Sequence, residues 1–175
     1  QPTASPAVQP TVSHAVQPTA SPAVAEALPL IQEAQAPEAL AAATPVGSVF
    51  VTVENTTYKK ASGAAWEGKL IDRKEIPITS DSTVMSAVVA ALDSVGATQA
   101  GADKNYISSI NGLDQLAAGS YSGWMGTLND WFCDTGFGDF TVAKGTLGDG
   151  DEISMMYSVT GSDLGGSMWY KRIYA

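Results

Sequence analysis

The first 24 residues are three copies of one octapeptide, which read QPTASPAV, QPTVSHAV and QPTASPAV. Proline fixes the backbone angle φ and lacks an N–H donor, while Ala, Thr, Ser and Gln offer little apolar surface. The repeats therefore predict a polyproline-like or disordered segment that cannot bury a core of its own. An octad is also shorter than the roughly 20 to 50 residues of stacked repeats, so a solenoid is not expected.

The side chains able to fill a core are concentrated further along the chain. All four tryptophans, all six tyrosines and all four phenylalanines lie after Gly47. Residues 25–47 are alanine-rich and carry only scattered apolar anchors, so a short helix is the most they predict. We therefore expect a low-complexity arm at 1–47, with the octapeptides at 1–24 and an Ala-rich linker at 25–47. A single folded domain is expected at 48–175.

The net charge of the chain limits the classes of molecule that it can bind. The chain carries 9 basic and 18 acidic residues, a net charge of −9, which repels nucleic-acid phosphates and anionic membrane surfaces. The longest apolar run, at 87–92, has six residues against the ~20 needed to cross a bilayer. The composition thus predicts no nucleic-acid partner and no membrane span. The chain begins at Gln1 and lacks the basic and apolar parts of a signal peptide, which favours a mature secreted form, extracellular or on the cell surface.

Catalytic and metal chemistry has few residues to work with. The chain has one histidine, His14, and one cysteine, Cys133, too few for a zinc or iron–sulfur site or an internal disulfide. His14 replaces a proline of the other octads, so repeat drift explains it better than a role as general base. The aspartates near 130–151 do not follow an EF-hand ligand series, which favours a solvated acidic rim. We expect no catalytic residue, no metal site, no cofactor and no enzyme activity.

Hydrophobic periodicity divides the C-terminal part into strands and one helix. Residues 48–54 alternate as a strand does, and 70–78 suggest a second extended stretch that Pro77 places at a sheet edge. Ser80, Asp81 and Ser82 offer capping oxygens to a helix at 82–95, which Gly96 ends. Further strands are predicted at 106–110, 123–129, 140–143, 152–159 and 168–174, with a tight turn at 148–150.

A lone helix between groups of strands predicts an α+β fold, a β-grasp-like mixed sheet with the helix packed across one side. The other face of the sheet is then expected to be solvated or covered by loops and the arm.

Four strings in this order carry a family resemblance: TVMSAVVAAL (83–92), YISSINGL (106–113), SGWMGTLND (122–130) and TLGDGDEISMMYS (146–158). Together the strings resemble the transcobalamin C-terminal-like domain family over about residues 48–160. In bacteria that family is mostly a domain of unknown function on surface and secreted proteins. The resemblance implies a β-grasp-like fold related to ligand-binding modules. In vitamin carriers the corresponding domain closes over one face of cobalamin, so a cobalamin-like ligand is implied by resemblance only.

The match to the family pattern varies along the chain. The chain agrees with the pattern in four places: the Gly-Trp-Met strand, the turn that follows it, the Gly-Asp turn and the aromatic strand. The matching residues are Gly123, Trp124, Met125, Asn129, Gly150, Asp151 and Tyr157. Gly126 stands where the family usually has a large residue. The segment 131–140 is longer and more aromatic than in simple members, and 161–175 has no counterpart. These departures are where individual function is expected.

Aromatic side chains are the candidate binding residues, because flat apolar rings stack well on a sugar ring or a corrin. The candidates are Trp124, Trp131, Phe132, Phe137 and Trp169. Core packing is the favoured role for Trp124. For the three aromatics of the Gly- and Asp-rich segment 131–140, packing and binding are balanced, since binding residues concentrate on loops.

Two functional hypotheses remain from the sequence. The first is a non-catalytic extracellular cell-surface module that binds a small molecule, a glycan or a protein. The alternative is a structural subunit of an extracellular fibre or surface layer, self-associating through residues 1–47 or through a sheet edge. Asn55-Thr56-Thr57 also satisfies the N-glycosylation sequon, a short pattern that often arises by chance.

Overall fold

The computed structural model describes residues 43–166. Most of the predicted arm, the strand predicted at 168–174 and the candidate Trp169 lie outside the described residues. Within them the chain forms eight β-strands and one α-helix. The strands are β1 Gly47–Asn55, β2 Gly68–Ile78, β3 Gln99–Ala100, β4 Ser109–Ile110, β5 Leu113–Asp114, β6 Gly123–Leu128, β7 Trp131–Phe132 and β8 Glu152–Ser158. The helix, α1, is Val84–Asp93, and 3-10 turns lie at Lys60–Ser62, Ala102–Lys104 and Phe137–Asp139.

The main sheet has five strands in the order β2-β1-β8-β6-β7, and a small three-stranded sheet has the order β3-β4-β5. β1 and β8 pair in parallel at the centre of the main sheet, and its other neighbouring strands are antiparallel. The predicted α+β fold is confirmed. An N-terminal strand pair, one helix and a last strand placed parallel to the first are the β-grasp arrangement that the periodicity and the resemblance predicted.

The central strands bury one face against the helix. Val49, Val51 and Val53 of β1 have no exposed surface, and Ile153 and Met155 of β8 lie opposite the last two in the parallel register. Because side chains alternate along a strand, this register places all five on the same face. The Val-x-Val-x-Val pattern at 49–53 is therefore the core face of the central strand.

The helix begins at Val84, two residues after its predicted start, and its N-cap follows the last predicted capping residue by one. Thr83, rather than Ser80, Asp81 or Ser82, is the N-cap: its hydroxyl accepts from the Ser86 N–H, and the Ser86 hydroxyl accepts from the Thr83 N–H, both at 2.9 Å. This reciprocal pair satisfies two backbone donors that a helix start leaves unpaired.

The helix ends at Asp93, two residues before its predicted end, and the predicted stop at Gly96 closes the turn that follows. Gly96 has a φ of +66°, and the N–H groups of Gly96 and Ala97 donate to the carbonyls of Asp93 and Leu92. This is a Schellman ending, which requires a left-handed residue that glycine adopts at low cost.

The outer face of the main sheet is partly covered, as expected, although the covering segment lies after β8. Phe132 and Met156 are buried there with Leu164, and Met125 packs against them. Farther along the same sheet, the Arg73 guanidinium lies 3.8 Å from the centre of the Phe50 ring and forms a salt bridge with Glu152. Within the described residues, no helix has the length and apolar character needed to cross a bilayer.

Two strand predictions were wrong. Of 106–110, only Ser109–Ile110 forms a strand. Residues 140–143 form a turn with a single bridge between Thr83 and Thr141. There the Thr141 N–H donates to the Thr146 hydroxyl and the Val142 N–H to the Ser82 carbonyl. Side-chain and loop partners thus satisfy donors that a strand would have paired.

The sequon asparagine has a structural role. Asn55 is fully buried. Its amide donates to the backbone carbonyls of Tyr58 at 2.7 Å and Trp66 at 2.6 Å, and its carbonyl accepts from the Tyr58 N–H at 3.0 Å. The Asn55 amide is buried and its partners are partly buried, so it closes the turn after β1 and joins it to the segment before β2.

Replacing Asn55 by alanine is expected to lower the free energy of unfolding by about 3 kcal/mol, because backbone groups of Tyr58 and Trp66 lose their partners inside the protein. Urea denaturation measures the change. Thr56→Ala, at the exposed middle position of the same sequon, is the control and should change stability by less than about 0.5 kcal/mol. A folded domain that carries a glycan on Asn55 would contradict this role.

Candidate functional site

The helix does not cover the whole inner face of the sheet, and two loops enclose the remainder. Between segment 105–107 and segment 133–137 lies a cavity of about 380 Å³, which we call the inner cavity. Its lining includes Trp124 and Gly126 of β6, Met155 of β8 and Met85 of α1, with Tyr106 and Phe137 from the two loops. The lining is mainly apolar and aromatic, which is typical of small-molecule sites.

Trp124 is a core residue that also lines this cavity. The centre of its ring lies 5.7 Å from that of the Trp66 ring in a stacked arrangement and 5.3 Å from that of the Tyr157 ring in a T-shaped arrangement. The indole N–H donates to the Leu113 carbonyl at 2.9 Å. Packing on two other rings and a satisfied N–H hold the indole in one orientation, so it forms a rigid wall.

Phe137 occupies the position where the family pattern has a large residue on β6. A Cβ atom on Gly126 would lie 1.6 Å from Cζ of the Phe137 ring, and Phe137 itself is buried. The glycine thus leaves room for an aromatic ring that segment 131–140 supplies from outside the sheet. The departure at Gly126 and the aromatic insert, noted separately in the sequence, are one packing arrangement.

Asn105 holds the loop that carries Phe137, and sequence reasoning missed it. Its carbonyl accepts from the Gly138 N–H, and its amide reaches the Asp139 carboxylate at 3.4 Å. A Cβ atom on Gly136 would lie 2.1 Å from the Asn105 amide nitrogen. Asn105 also has a left-handed φ of +60°, which asparagine tolerates better than most residues. The sequence feature that could have indicated this contact is the Gly-Phe-Gly string at 136–138, because its two glycines leave room for the Asn105 side chain.

The other candidate aromatics do not join Trp124 and Phe137 in one platform. Phe132 is buried on the outer face of the sheet. Trp131 is 57% exposed and lines a second, more open cavity of about 520 Å³, which we call the edge cavity. Trp169 lies outside the described residues. Phe132 also lines the edge cavity, so the structure divides the four described candidates into Trp124 and Phe137 at the inner cavity and Trp131 and Phe132 at the edge cavity.

The edge cavity lies beside a hairpin that sequence reasoning took for a loop. Asn129 and Asp130, with φ of +52° and +67°, connect β6 to β7. Two successive left-handed residues match the type I′ turn that joins strands through two residues. The signal was an Asn-Asp pair between Leu128 and Trp131, weaker than the Asn-Gly pair usually sought at such turns.

Most titratable groups that border the inner cavity are uncharged near neutral pH. Burial raises the pKa of the Cys133 thiol to about 12, and the nearby Asp134 carboxylate adds to the shift. Burial also raises the pKa of the Tyr106 hydroxyl. A protonated thiol is a poor nucleophile, so this cavity presents neutral, polarisable surface with Asp134 as its acidic group.

Two aspartates of the predicted acidic rim accept hydrogen bonds that stabilise the fold. Asp149 accepts from the Ser48 N–H, and Asp151 accepts from the Gly148 N–H and the Asn129 amide. These bonds fasten the turn before β8 to neighbouring segments. Across residues 43–166, no group of His, Cys, Asp and Glu side chains is arranged to hold a metal ion.

Comparison with known families finds a match within the chain. Residues 81–159 match the family described as Domain of unknown function (DUF4430), which is of the transcobalamin C-terminal-like type. The resemblance is thereby confirmed for this range, which runs from just before α1 to just after β8 and includes all the lining residues of both cavities. The first two strands lie outside it. No curated protein matches the sequence.

A double-mutant cycle tests whether Gly126 leaves the space that the Phe137 ring occupies. Gly126→Ala should cost about 2 kcal/mol of stability, because its methyl group overlaps the Phe137 ring. Phe137→Ala should cost about 3 kcal/mol by leaving a void. In the double variant the overlap is gone, so the combined loss should be smaller than the sum by about 1 kcal/mol or more. Additive losses in urea denaturation would show that the two residues do not share this space.

Cys133 should react with iodoacetamide at pH 8 at least a hundredfold more slowly in the folded protein than in urea. A pKa raised from 9.0 to about 12 leaves a thousandfold less thiolate. Because the folded state retains the proton longer, this thiol leaves stability unchanged below about pH 9 and lowers it as the pH rises above that value. Cys133→Ser should lack this fall. Equal alkylation rates in the two states would contradict a shielded thiol.

Proposed function

We propose that this chain is a non-catalytic, extracellular binding domain that takes up a small, uncharged and mainly apolar molecule in the inner cavity. The observation that carries the proposal is the cavity itself. It stays open beside a well-packed sheet because Trp124 forms one wall and Phe137 is seated on Gly126.

The size of the cavity limits the ligand. A volume of about 380 Å³ falls near the lower end of the roughly 300 to 1,000 Å³ typical of small-molecule sites. A volume at this end of the range favours a single small ring system over a macrocycle such as a corrin. The vitamin ligand implied by the resemblance is therefore less favoured than a smaller ring system.

The chemistry of the lining favours a neutral ligand and binding without turnover. Methionine sulfurs at Met85 and Met155 and the aromatic walls are polarisable but carry no charge. The thiol of Cys133 is held protonated, and the described residues include no histidine that could act as its base. Asp134 at the rim disfavours anions.

The alternative of a fibre subunit gains no specific observation from the described residues. β2 is an open edge strand of the main sheet, so it is the natural site for adding a strand. It carries Pro77 and five charged residues, both of which protect edges against such pairing. The charged residues are Lys69, Asp72, Arg73, Lys74 and Glu75. Association through residues 1–42 concerns a segment outside the described residues.

A cavity-blocking variant of the full chain tests the proposal. Thr135 is exposed and lines the inner cavity, so Thr135→Trp should fill the opening without disturbing the core, and Thr135→Ser is its matched control. The neutral naphthalene dye prodan, whose emission shifts to the blue in apolar surroundings, is the probe. Wild type and Thr135→Ser should bind it saturably, and Thr135→Trp should bind at least tenfold more weakly.

Unfolding curves of the three proteins should coincide within about 0.5 kcal/mol, the range expected for a change at an exposed site. Equal prodan affinity in Thr135→Trp and Thr135→Ser would place the dye elsewhere and refute binding in this cavity. Absence of any saturable shift in the wild type would refute it as well.

A further inference from the structure

Trp131 differs from the other two described tryptophans. Trp66 and Trp124 donate their indole N–H groups to backbone carbonyls, each at 2.9 Å. Trp131 is 57% exposed, and its indole N–H has no hydrogen-bond acceptor among the described residues. Packing therefore accounts for two of the three indoles. The third lines the edge cavity with a half-exposed ring, and no described residue accepts from its N–H.

The backbone beneath Trp131 is firmly held. The Asn129 side chain accepts from the Glu152 N–H and donates to Asp151, both at 2.9 Å, which ties the β6–β7 turn to the start of β8. Trp131 pairs with Leu128, and its neighbour Phe132 is buried. An exposed aromatic side chain on an anchored hairpin loses little conformational freedom on binding, a property of good recognition residues.

Polar groups beside the ring are available for hydrogen bonds. Asp134 lines the same cavity, is exposed, and accepts no hydrogen bond from the described residues. Asn129 is also a lining residue, and its side-chain amide uses one of its two N–H groups on Asp151. A free carboxylate, an indole N–H and an amide N–H offer acceptor and donors around one flat apolar face.

We propose that the edge cavity binds a neutral saccharide, with one pyranose ring stacked on Trp131 and its hydroxyl groups bonded to Asp134 and Asn129. A pyranose ring has an apolar C–H face that suits an indole and a rim of hydroxyls that both donate and accept. Hydroxyl donors bond strongly to an ionised carboxylate. The same carboxylate and the net charge of −9 repel acidic sugars and phosphates.

This site is separate from the inner cavity, and the inference does not depend on the function proposed for that cavity. Cys133 and Asp134 line both spaces, but Trp131 lines only the edge cavity and Thr135 only the inner one. Thr135→Trp should therefore leave saccharide binding unchanged, and Trp131→Ala should leave prodan binding unchanged.

Titration of the full chain with neutral hexasaccharides, followed by the indole N–H signals in ¹H–¹⁵N NMR spectra, tests the proposal. The probes are cellohexaose, laminarihexaose, maltohexaose and chitohexaose, and the Trp131 signal is the one that disappears in Trp131→Ala. At least one probe should shift that signal saturably in the millimolar range or below. Its Kd should rise at least tenfold in Trp131→Ala and severalfold in Asp134→Asn.

Tyr121→Ala is the matched control, because Tyr121 is 84% exposed and lines neither cavity; its Kd should equal that of the wild type. The proposal is overturned if none of the four hexasaccharides shifts the Trp131 signal. An equal Kd in Trp131→Ala also overturns it. Tetramethylammonium chloride is the competing probe, and a shift of the Trp131 signal at lower concentration than any saccharide would assign the ring to cation binding instead.

Discussion

Parallel pairing of β1 with β8 is the interaction on which the rest of the described structure depends. It joins Val51 to Ile153 and Val53 to Met155, residues about 100 positions apart in the chain. Both strands bury this face against α1, so one apolar layer connects the start and the end of the domain. Closing so long a loop costs conformational entropy, which burial of β-branched and sulfur-containing side chains offsets.

Both cavities follow from how this sheet is covered. The ten residues of α1 cover only part of the inner face, and loops complete the cover over β6 and β7. Loops cannot interdigitate with a sheet as regularly as a helix does, so filling their contact requires individual matches of side chain and backbone. Phe137 on Gly126 and Asn105 on Gly136 and Gly138 are such matches. The inner cavity is the part of this contact that no such match fills.

Much of the fold could be predicted because it depends on local pattern. Alternation of Val49, Val51 and Val53 marked β1, the apolar spacing of α1 marked the helix, and Pro77 marked an edge. The site was less predictable. Trp124 and Phe132 have similar side chains and lie close in the chain, yet they pack in different clusters. Pairing of the two-residue strand β7 with β6 places Phe132 in the outer-face cluster. The Asn-Asp turn that makes this pairing possible is a weak sequence signal.

By itself, the sequence determined where a core could form, which α+β architecture would form it, and that the chain would be acidic, because hydrophobic period and charge are local properties of the chain. Only the tertiary structure decided that Gly126 and Phe137 share one volume, that Asn55 closes a turn rather than presenting a glycan site, and that Trp131 stays in solvent while Trp124 does not. Those outcomes depend on which distant segments meet, and the chain order does not specify such contacts until the central parallel strands have brought its two ends together.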